Sequence, residues 1–323
     1  MDEKILQLLR ESPSTHVSGE EISRRLGVTR TSVWKRVKQL RDMGYEIEAS
    51  TRSGYRLVRS PDLLVPSEIR PLGTKWMGRT VHYFQTIDST NSRAYQLALE
   101  GAEEGEVVIA ESQGQGRGRL GRDWFSPPFL NLYLSVVLRP RSVPHQASLI
   151  TLMAAVATAD AVQKSSGLNP RIKWPNDILL KDRKIAGLLN EIHSEIDRIH
   201  FVILGIGVNL NVDEREFPKE IRGKATSLKR EMGRAVSRKD FVRSLLQELE
   251  SWYEVFCEKG GTPILEAWKS KARIEGTRVK VASFGEILTG EAVDIDSDGA
   301  LILRMKDGVK KRIVSGDVEY LRT

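Results

Sequence analysis

Glu111-Ser-Gln-Gly-Gln-Gly-Arg-Gly-Arg-Leu-Gly-Arg-Asp-Trp-Phe-Ser-Pro127 has no pattern that a packed helix or strand would favour. Gly114, Gly116 and Gly118 alternate with polar residues, Gly121 follows, and Arg117, Arg119 and Arg122 add three guanidinium groups. Each glycine inside a regular element would cost about 0.5–1 kcal/mol relative to alanine, so the stretch reads as a loop kept for something other than packing. Glycines let backbone N–H groups approach a ligand closely, and guanidinium forks hold carboxylate or phosphate through paired hydrogen bonds. An anionic ligand is the first reading. A solvated basic loop is the bland one, and Trp124-Phe125 directly after the arginines weighs against it. Two known nucleotide loops are excluded. No helix pattern follows Gly118 before Pro127-Pro128, as a dinucleotide fingerprint requires, and no Gly-Lys-Ser/Thr completes a Walker loop.

The segments around this loop alternate strand and helix. Val81 to Gln85 and Val107 to Glu111 read as strands before it, and Asn131 to Leu138 as the strand after it. Between the first two, Asp88-Ser-Thr-Asn91 opens a helix that turns Ala94, Leu97 and Ala98 inward and ends at Gly101. One of Ser89 or Thr90 suffices as a cap, so four cap-capable residues leave hydrogen-bonding capacity for a polar ligand at the helix N-terminus, a generous cap being the alternative. Gln146 to Gln163 is an alanine-rich apolar helix that needs a sheet to lie on. Arg171 to Leu180, a turn at Lys181-Asp-Arg-Lys184 and Ile185 to Ile192 read as a hairpin. Phe201 to Leu210 is a further strand, in which Gly205 and Gly207 suggest close approach of backbone or ligand. Lys239 to Lys259 presents Phe241, Leu245, Leu249 and Trp252 on one helical face. After Gly276 the period changes. Strands at 278–281, 287–295, 300–303 and 311–314, divided by Gly285, Asp298-Gly299 and Asp307-Gly308, predict a small SH3-like barrel.

The N-terminal residues form a separate basic module. Residues 1–60 carry a net charge of +4, out of +7 for the whole chain. A short stripe through Ile5, Leu8 and Leu9 precedes a helix from Gly19 to Leu26, which Gly27 stops. Thr29 then caps a third helix with Val33, Val37 and Leu40 at i, i+4 and i+7, and no acid lies between Thr29 and Arg41. Helix, short glycine turn and basic helix is the helix-turn-helix arrangement, whose second helix enters the major groove. Tyr45 to Ala49, a turn at Arg52-Ser53-Gly54 and Tyr55 to Leu57 predict a wing carrying Arg52 and Arg56. The competing reading, a helix with a solvated basic face, leaves the turn and the wing unexplained. One cysteine, Cys257, excludes a disulfide framework and a cysteine zinc site. With no signal sequence and no membrane-length apolar run, the expectation is a soluble cytoplasmic protein. Five scattered histidines lack ligand spacing and predict no fixed catalytic metal, and His193 and His200 read as structural.

With this loop, Lys173-Trp-Pro-Asn-Asp177, Arg183-Lys-Ile-Ala-Gly187 and Gly205-Ile-Gly-Val-Asn209 all in order, the sequence resembles the biotin–protein ligases, and with the basic module in front their bifunctional type, ligase plus biotin operon repressor. The resemblance covers essentially the whole chain. It implies an α+β protein: a winged helix-turn-helix over residues 1–62, a mixed α/β catalytic domain related to lipoate-attaching enzymes over 63–272, and an SH3-like domain over 273–323. The implied reaction joins biotin and ATP, with Mg²⁺, into biotinyl-5′-AMP and passes biotin to a lysine of the biotin carboxyl carrier protein of acetyl-CoA carboxylase. The implied partners are that carrier, operator DNA of biotin biosynthesis genes and a second copy of the chain when the adenylate is bound, with no membrane. The family's biotin-binding residues match Ser89, Thr90, Asn91 and Gln113; its loop residues match Arg117, Gly118 and Arg119; its reactive-centre lysine matches Lys184. The tryptophan that closes over adenine matches Trp124, and asparagines near the nucleotide match Asn176 and Asn209. Leu120 stands where family members often carry a basic or polar residue.

The chemistry supports these assignments independently. Joining a carboxylate to the α-phosphorus of ATP brings two anions together, so the site needs cations that keep their protons, as Arg117 and Lys184 do. The adenylate is a mixed anhydride that water destroys, which favours a glycine-hinged loop with an aromatic lid. Asp177 is the candidate for orienting or deprotonating the incoming lysine amine, a plain turn aspartate being the alternative. Two other readings stay open at this point: a regulator that binds a small anion without chemistry, and a lipoate–protein ligase.

Overall fold

Val33, Val37 and Leu40 are buried and make one face of the basic helix, which packs on Ile5, Leu6, Leu9 and Ile22. This is the core of the first of two units, Met1–Arg70 and Pro71–Thr323, in a computed structural model that describes residues 2–42, 44–50, 53–141, 144–283 and 285–321. The first unit runs α1 (Asp2–Arg10), α2 (Gly19–Leu26), α3 (Arg30–Asp42), β1 (Glu46–Ser50), β2 (Gly54–Arg59) and α4 (Pro66–Ile69). Ser18 Oγ caps α2 by accepting the Glu21 N–H at 3.0 Å, and Gly27 ends it at φ 66°. Thr29 Oγ1 accepts the Ser32 N–H at 3.2 Å at the start of α3, as its position predicts. β1 and β2 pair antiparallel with Ile47 opposite Leu57 and Glu48 opposite Arg56, so the wing is present. Arg56 is held by Glu48 at 2.7 Å, and Arg52 lies outside the described residues.

The second unit is built on a sheet that, among the described residues, has seven strands. It begins with β3 (Val81–Ile87), α5 (Thr90–Leu99), β4 (Val107–Gln113), β5 (Leu132–Leu138) and α6 (Ala147–Ser166). Then follow β6 (Arg171–Lys173), β7 (Asp177–Leu180), β8 (Arg183–Ser194) and β9 (Ile199–Val208), in the spatial order β3-β4-β5-β9-β8-β7-β6. Only β3 and β4 are parallel, and α5 is their crossover. α7 (Leu228–Met232), α8 (Arg238–Lys259) and α9 (Thr262–Ala272) complete the helices described, α8 and α9 covering the mostly buried α6. The run 171–180 is two strands rather than one. Pro175, in a cis peptide after Trp174, has no N–H to give a ladder, and β6 turns back onto β7 at this point.

The C-terminal sheet is β10 (Thr277–Ser283), β11 (Glu286–Ile295), β12 (Leu301–Arg304), β13 (Lys310–Ile313) and β14 (Asp317–Tyr320), all antiparallel, in the order β13-β12-β11-β10-β14. This is the SH3-like element, with one strand, β14, beyond those the turn pattern predicts. It is tied to α6 by the Ser148 hydroxyl on the Asp298 carbonyl and to the β6–β7 turn by Trp174 Nε1 on the Gly299 carbonyl at 3.0 Å. Among the described residues, no helix is long and apolar enough to cross a membrane.

Candidate active site

β9 decides the shape of the site. Residues two apart on a strand share a face, and Gly205 and Gly207 leave that face bare. A Cβ at Gly205 would stand 2.1 Å from Asn91 Oδ1, and one at Gly207 would stand 2.4 Å from the Trp124 ring. The close approach expected at these glycines is therefore made by two side chains of the protein itself. They lie at different parts of a cavity of about 740 Å³ that is lined by Ser89, Thr90, Asn91, Gln113, Arg117, Gly118, Arg119, Trp124, Asn176, Asp177, Lys184 and Asn209. The residues expected to bind ligand or carry the chemistry thus line one cavity.

Around Asn91 the wall is a closed polar network. Ser89 Oγ caps α5 by accepting the Ser92 N–H at 3.5 Å. Thr90 donates to Gln113 Oε1 from its backbone N–H at 2.9 Å and from its hydroxyl at 3.1 Å. Ser135, buried on β5, lies 2.8 Å from Thr90 Oγ1 and 2.6 Å from Asn91 Oδ1, and Asn91 Nδ2 donates to Glu191 at 2.7 Å. Glu191 also holds Arg117 at 3.2 Å, and Arg117 donates to Ser92 Oγ at 3.0 Å. Ser135 and Glu191 were not singled out beforehand. Each sits within an apolar strand, and only strand register shows which face it takes.

The arginine loop is a hairpin tip. The Trp124 N–H donates to the Gly116 carbonyl at 2.8 Å, the Gly118 N–H donates to the Arg122 carbonyl at 2.6 Å, and the backbones of Arg117 and Asp123 form an isolated antiparallel bridge. Leu120, at φ 56°, occupies the left-handed region that non-glycine residues rarely adopt, with its side chain exposed. Arg119 is committed to the C-terminal sheet, reaching Ser315 Oγ at 3.0 Å, the Gly316 carbonyl at 3.3 Å and Asn176 Oδ1 at 3.4 Å. Burial pushes its guanidinium below the ordinary value, while the carboxylates of Asp317 and Asp177 pull the other way. Arg122 pairs with Asp317. Loop and β14 thus form one wall, a partnership between residues almost 200 positions apart that no local pattern reveals.

Lys184 lies opposite the loop. Its Nζ is 2.6 Å from Asp177 Oδ1 and 5.2 Å from the centroid of the Trp124 ring, whose Nε1 is buried without a hydrogen-bond partner. Its backbone is bracketed by the Lys224 carbonyl at 2.8 Å and the Thr226 N–H at 2.9 Å. Glu231 secures this bracket by accepting from Thr226 Oγ1 and Arg183 at 2.5 Å and pairing with Lys181 at 3.2 Å. Burial pushes the Glu231 carboxyl up, but these partners outweigh it and hold the group below its ordinary value. Asn176 donates to the Leu188 carbonyl at 2.6 Å, and Asn209 is buried where β9 ends. Beneath the loop, a fully buried Arg238–Glu111 pair at 2.6 Å joins the strand entering the loop to α8, and Arg238 also reaches the Asn131 carbonyl at 3.2 Å on the strand leaving it.

One cavity with a polar wall of Thr90, Asn91 and Gln113 and a second wall of Arg117, Lys184 and Trp124 is an arrangement suited to a ligase that activates an acid with a nucleotide. Residues 83–209 match the biotin/lipoate A/B protein ligase family, residues 2–56 an HTH domain, and residues 276–321 the biotin protein ligase C-terminal domain. The chain is 39% identical to the bifunctional ligase/repressor BirA of Bacillus spizizenii over 316 residues, 98% of this chain and 97% of that protein. It is 32% identical to BirA of Escherichia coli over 93% of this chain and 92% of that one. Among solved structures, the biotin protein ligase of Aquifex aeolicus in complex with biotin and ATP superposes with a TM-score of 0.65 at 28% identity, covering 76% of this chain and 100% of that one. The chain belongs to the bifunctional ligase/repressor family of biotin protein ligases.

Proposed function

We propose that the chain makes biotinyl-5′-AMP from biotin and ATP, transfers biotin to a lysine of a biotin carboxyl carrier protein, and represses biotin biosynthesis genes when the adenylate stays bound. The observation that carries the first half is the continuity of the cavity: the Thr90–Asn91–Gln113 wall and the Arg117–Lys184–Trp124 wall share one volume. In this reading Ser89, Thr90, Asn91 and Gln113 hold the polar end of biotin. Its carboxylate oxygen attacks the α-phosphorus, an acyl–phosphate bond forms and the bond to diphosphate breaks. Arg117 and Lys184 offset the charge of the two anions, Trp124 covers the adenine, and Asn176 and Asn209 orient the nucleotide. Mg²⁺ enters with the nucleotide. Gly118 gives the loop its close approach, and Arg119 ties it to Ser315 and Gly316 just before β14, so that water is kept from the mixed anhydride.

In the second step the carrier amine attacks the acyl carbon, the amide forms and AMP leaves. Asp177, in contact with Lys184, is placed to orient the incoming ammonium or take its proton. The domain reading that goes with this is 1–62 for DNA, 63–272 for catalysis and 273–323 for the SH3-like wall, with a homodimer forming on the adenylate. Incubation with ATP, Mg²⁺, a biotin carboxyl carrier domain and an equimolar mixture of biotin and lipoate tests it. A single mass increase on the carrier equal to biotin is expected. Lipoylation, or an unmodified carrier, would overturn the assignment.

A further inference from the structure

Trp34 sits in the middle of α3 and is 55% exposed, while the helix's other apolar side chains, Val33, Val37 and Leu40, are buried. Thr31, Trp34, Lys35 and Lys38 fall at i, i+3, i+4 and i+7, which makes them one stripe turned away from that core, and all four are exposed. Lys38 Nζ lies 5.9 Å from the indole centroid. Arg36, on a different flank, is engaged by Asp2 at 3.5 Å and by Gln39 at 3.3 Å. The largest apolar side chain of the helix is therefore on its basic face. Packing does not explain this, because the core is complete without it and an indole in water forgoes the burial that makes aromatic residues stabilising.

The stripe is cationic, with no acid between Thr29 and Arg41, so its partner is an anionic polymer with an apolar feature at a spacing an indole can meet. Double-stranded DNA fits. Lysines serve its phosphates and guanine edges, and the apolar group on the major-groove edge of a base pair is the C5-methyl of thymine. We propose that Trp34 is a specificity-determining residue that packs against thymine methyl groups while Lys35 and Lys38 hold the flanking backbone. The inference rests on the operator-binding reading above and adds to it the base chemistry that the helix reads.

The test begins by selecting duplexes from a random pool with the full-length chain in the presence of biotin and Mg-ATP. Each thymine of the selected duplex is then replaced in turn by deoxyuridine, which removes only the methyl group. Wild type should lose on the order of tenfold in affinity at one or two positions per half-site, as for a mismatched contact. Trp34→Ala should bind the thymine duplex more weakly by a similar factor, be indifferent to deoxyuridine at those positions, and keep wild-type biotin transfer to a carrier. Equal deoxyuridine sensitivity in wild type and Trp34→Ala, or a wild type indifferent to every replacement, overturns this inference alone. A change of sedimentation in Trp34→Ala without DNA would assign the indole to a protein contact and also overturn it. If wild type selects no sequence, the repressor reading itself fails with it.

Discussion

Gly205→Ala and Gly207→Ala should damage different ligands, although they add the same methyl group two residues apart on β9. At position 207 the new carbon would stand 2.4 Å from Trp124 Cε2 and 2.5 Å from Nε1. Carbon atoms pack at about 3.5–4.0 Å, so the ring must move by at least about 1 Å. Trp124 follows the hairpin tip and its Nε1 has no partner to hold it, so the ring rather than the strand gives way. Losing an aromatic stack on a base costs about 1–3 kcal/mol, which puts ATP affinity down by a factor of about 5 to 150. At position 205 the methyl would meet Asn91 Oδ1 at 2.1 Å, where that oxygen faces Ser135 at 2.6 Å. Disturbing one or two hydrogen bonds at about 0.5–1.5 kcal/mol each should weaken biotin by about tenfold and leave the ATP dependence nearly unchanged. Calorimetric titration with biotin, together with the KM for ATP in adenylate formation, reads the two effects separately, and melting temperatures near wild type show that both variants fold. If each substitution weakened both ligands equally, or neither did, the division of the cavity into a biotin end and a nucleotide end would be wrong.

Lys184→Ala removes the cation beside Asp177 and should slow adenylation by about 10²–10³ with an unaltered melting temperature, measured by single-turnover formation of the adenylate; a near wild-type rate would reject its role. Arg238→Met breaks the buried ion pair with Glu111 and should cost about 3–5 kcal/mol in denaturant unfolding; a loss below about 1 kcal/mol would reject the pair as an anchor of the loop. Glu231→Gln should cost about 1.5–3 kcal/mol at pH 7 through its charged hydrogen bonds. Because Thr226, Lys181 and Arg183 hold the folded carboxyl below its unfolded value of about 4.3, that deficit is complete above this pH and fades as pH falls through the folded value; a deficit that grows in acid would contradict the assignment.

The parts legible in the sequence are those whose chemistry is local. The glycine–arginine loop, the Ser89–Asn91 cap, Lys184 and the basic third helix each announce themselves within about ten residues, and each lies where the pattern puts it. What escaped is set by register or by distant contact. Ser135 and Glu191 interrupt apolar strands and show their role only once β5 and β8 flank β9. The anchoring of Arg119 and Arg122 on residues 315–317 depends on β14, whose Asp-Val-Glu-Tyr alternation is only four residues long and too short to stand out. α9 has an apolar face of only Ile264, Trp268 and Ala272, too sparse to stand out from sequence. Trp34 reads as one more residue of an amphipathic helix until its exposure is known.

The central claim is that one chain uses its reaction intermediate both as the activated substrate and as the signal for DNA binding. Ordering a glycine-rich loop around the adenylate gives a route to such coupling, and a tenfold change in dimerisation needs only about 1.4 kcal/mol. The most direct measurement is the fluorescence anisotropy of a labelled operator duplex mixed with the chain, biotin and Mg-ATP, followed after addition of excess unmodified carrier domain. The account predicts high anisotropy that falls as the carrier is biotinylated and the adenylate is consumed. An anisotropy that stays unchanged while the carrier becomes fully biotinylated would contradict it.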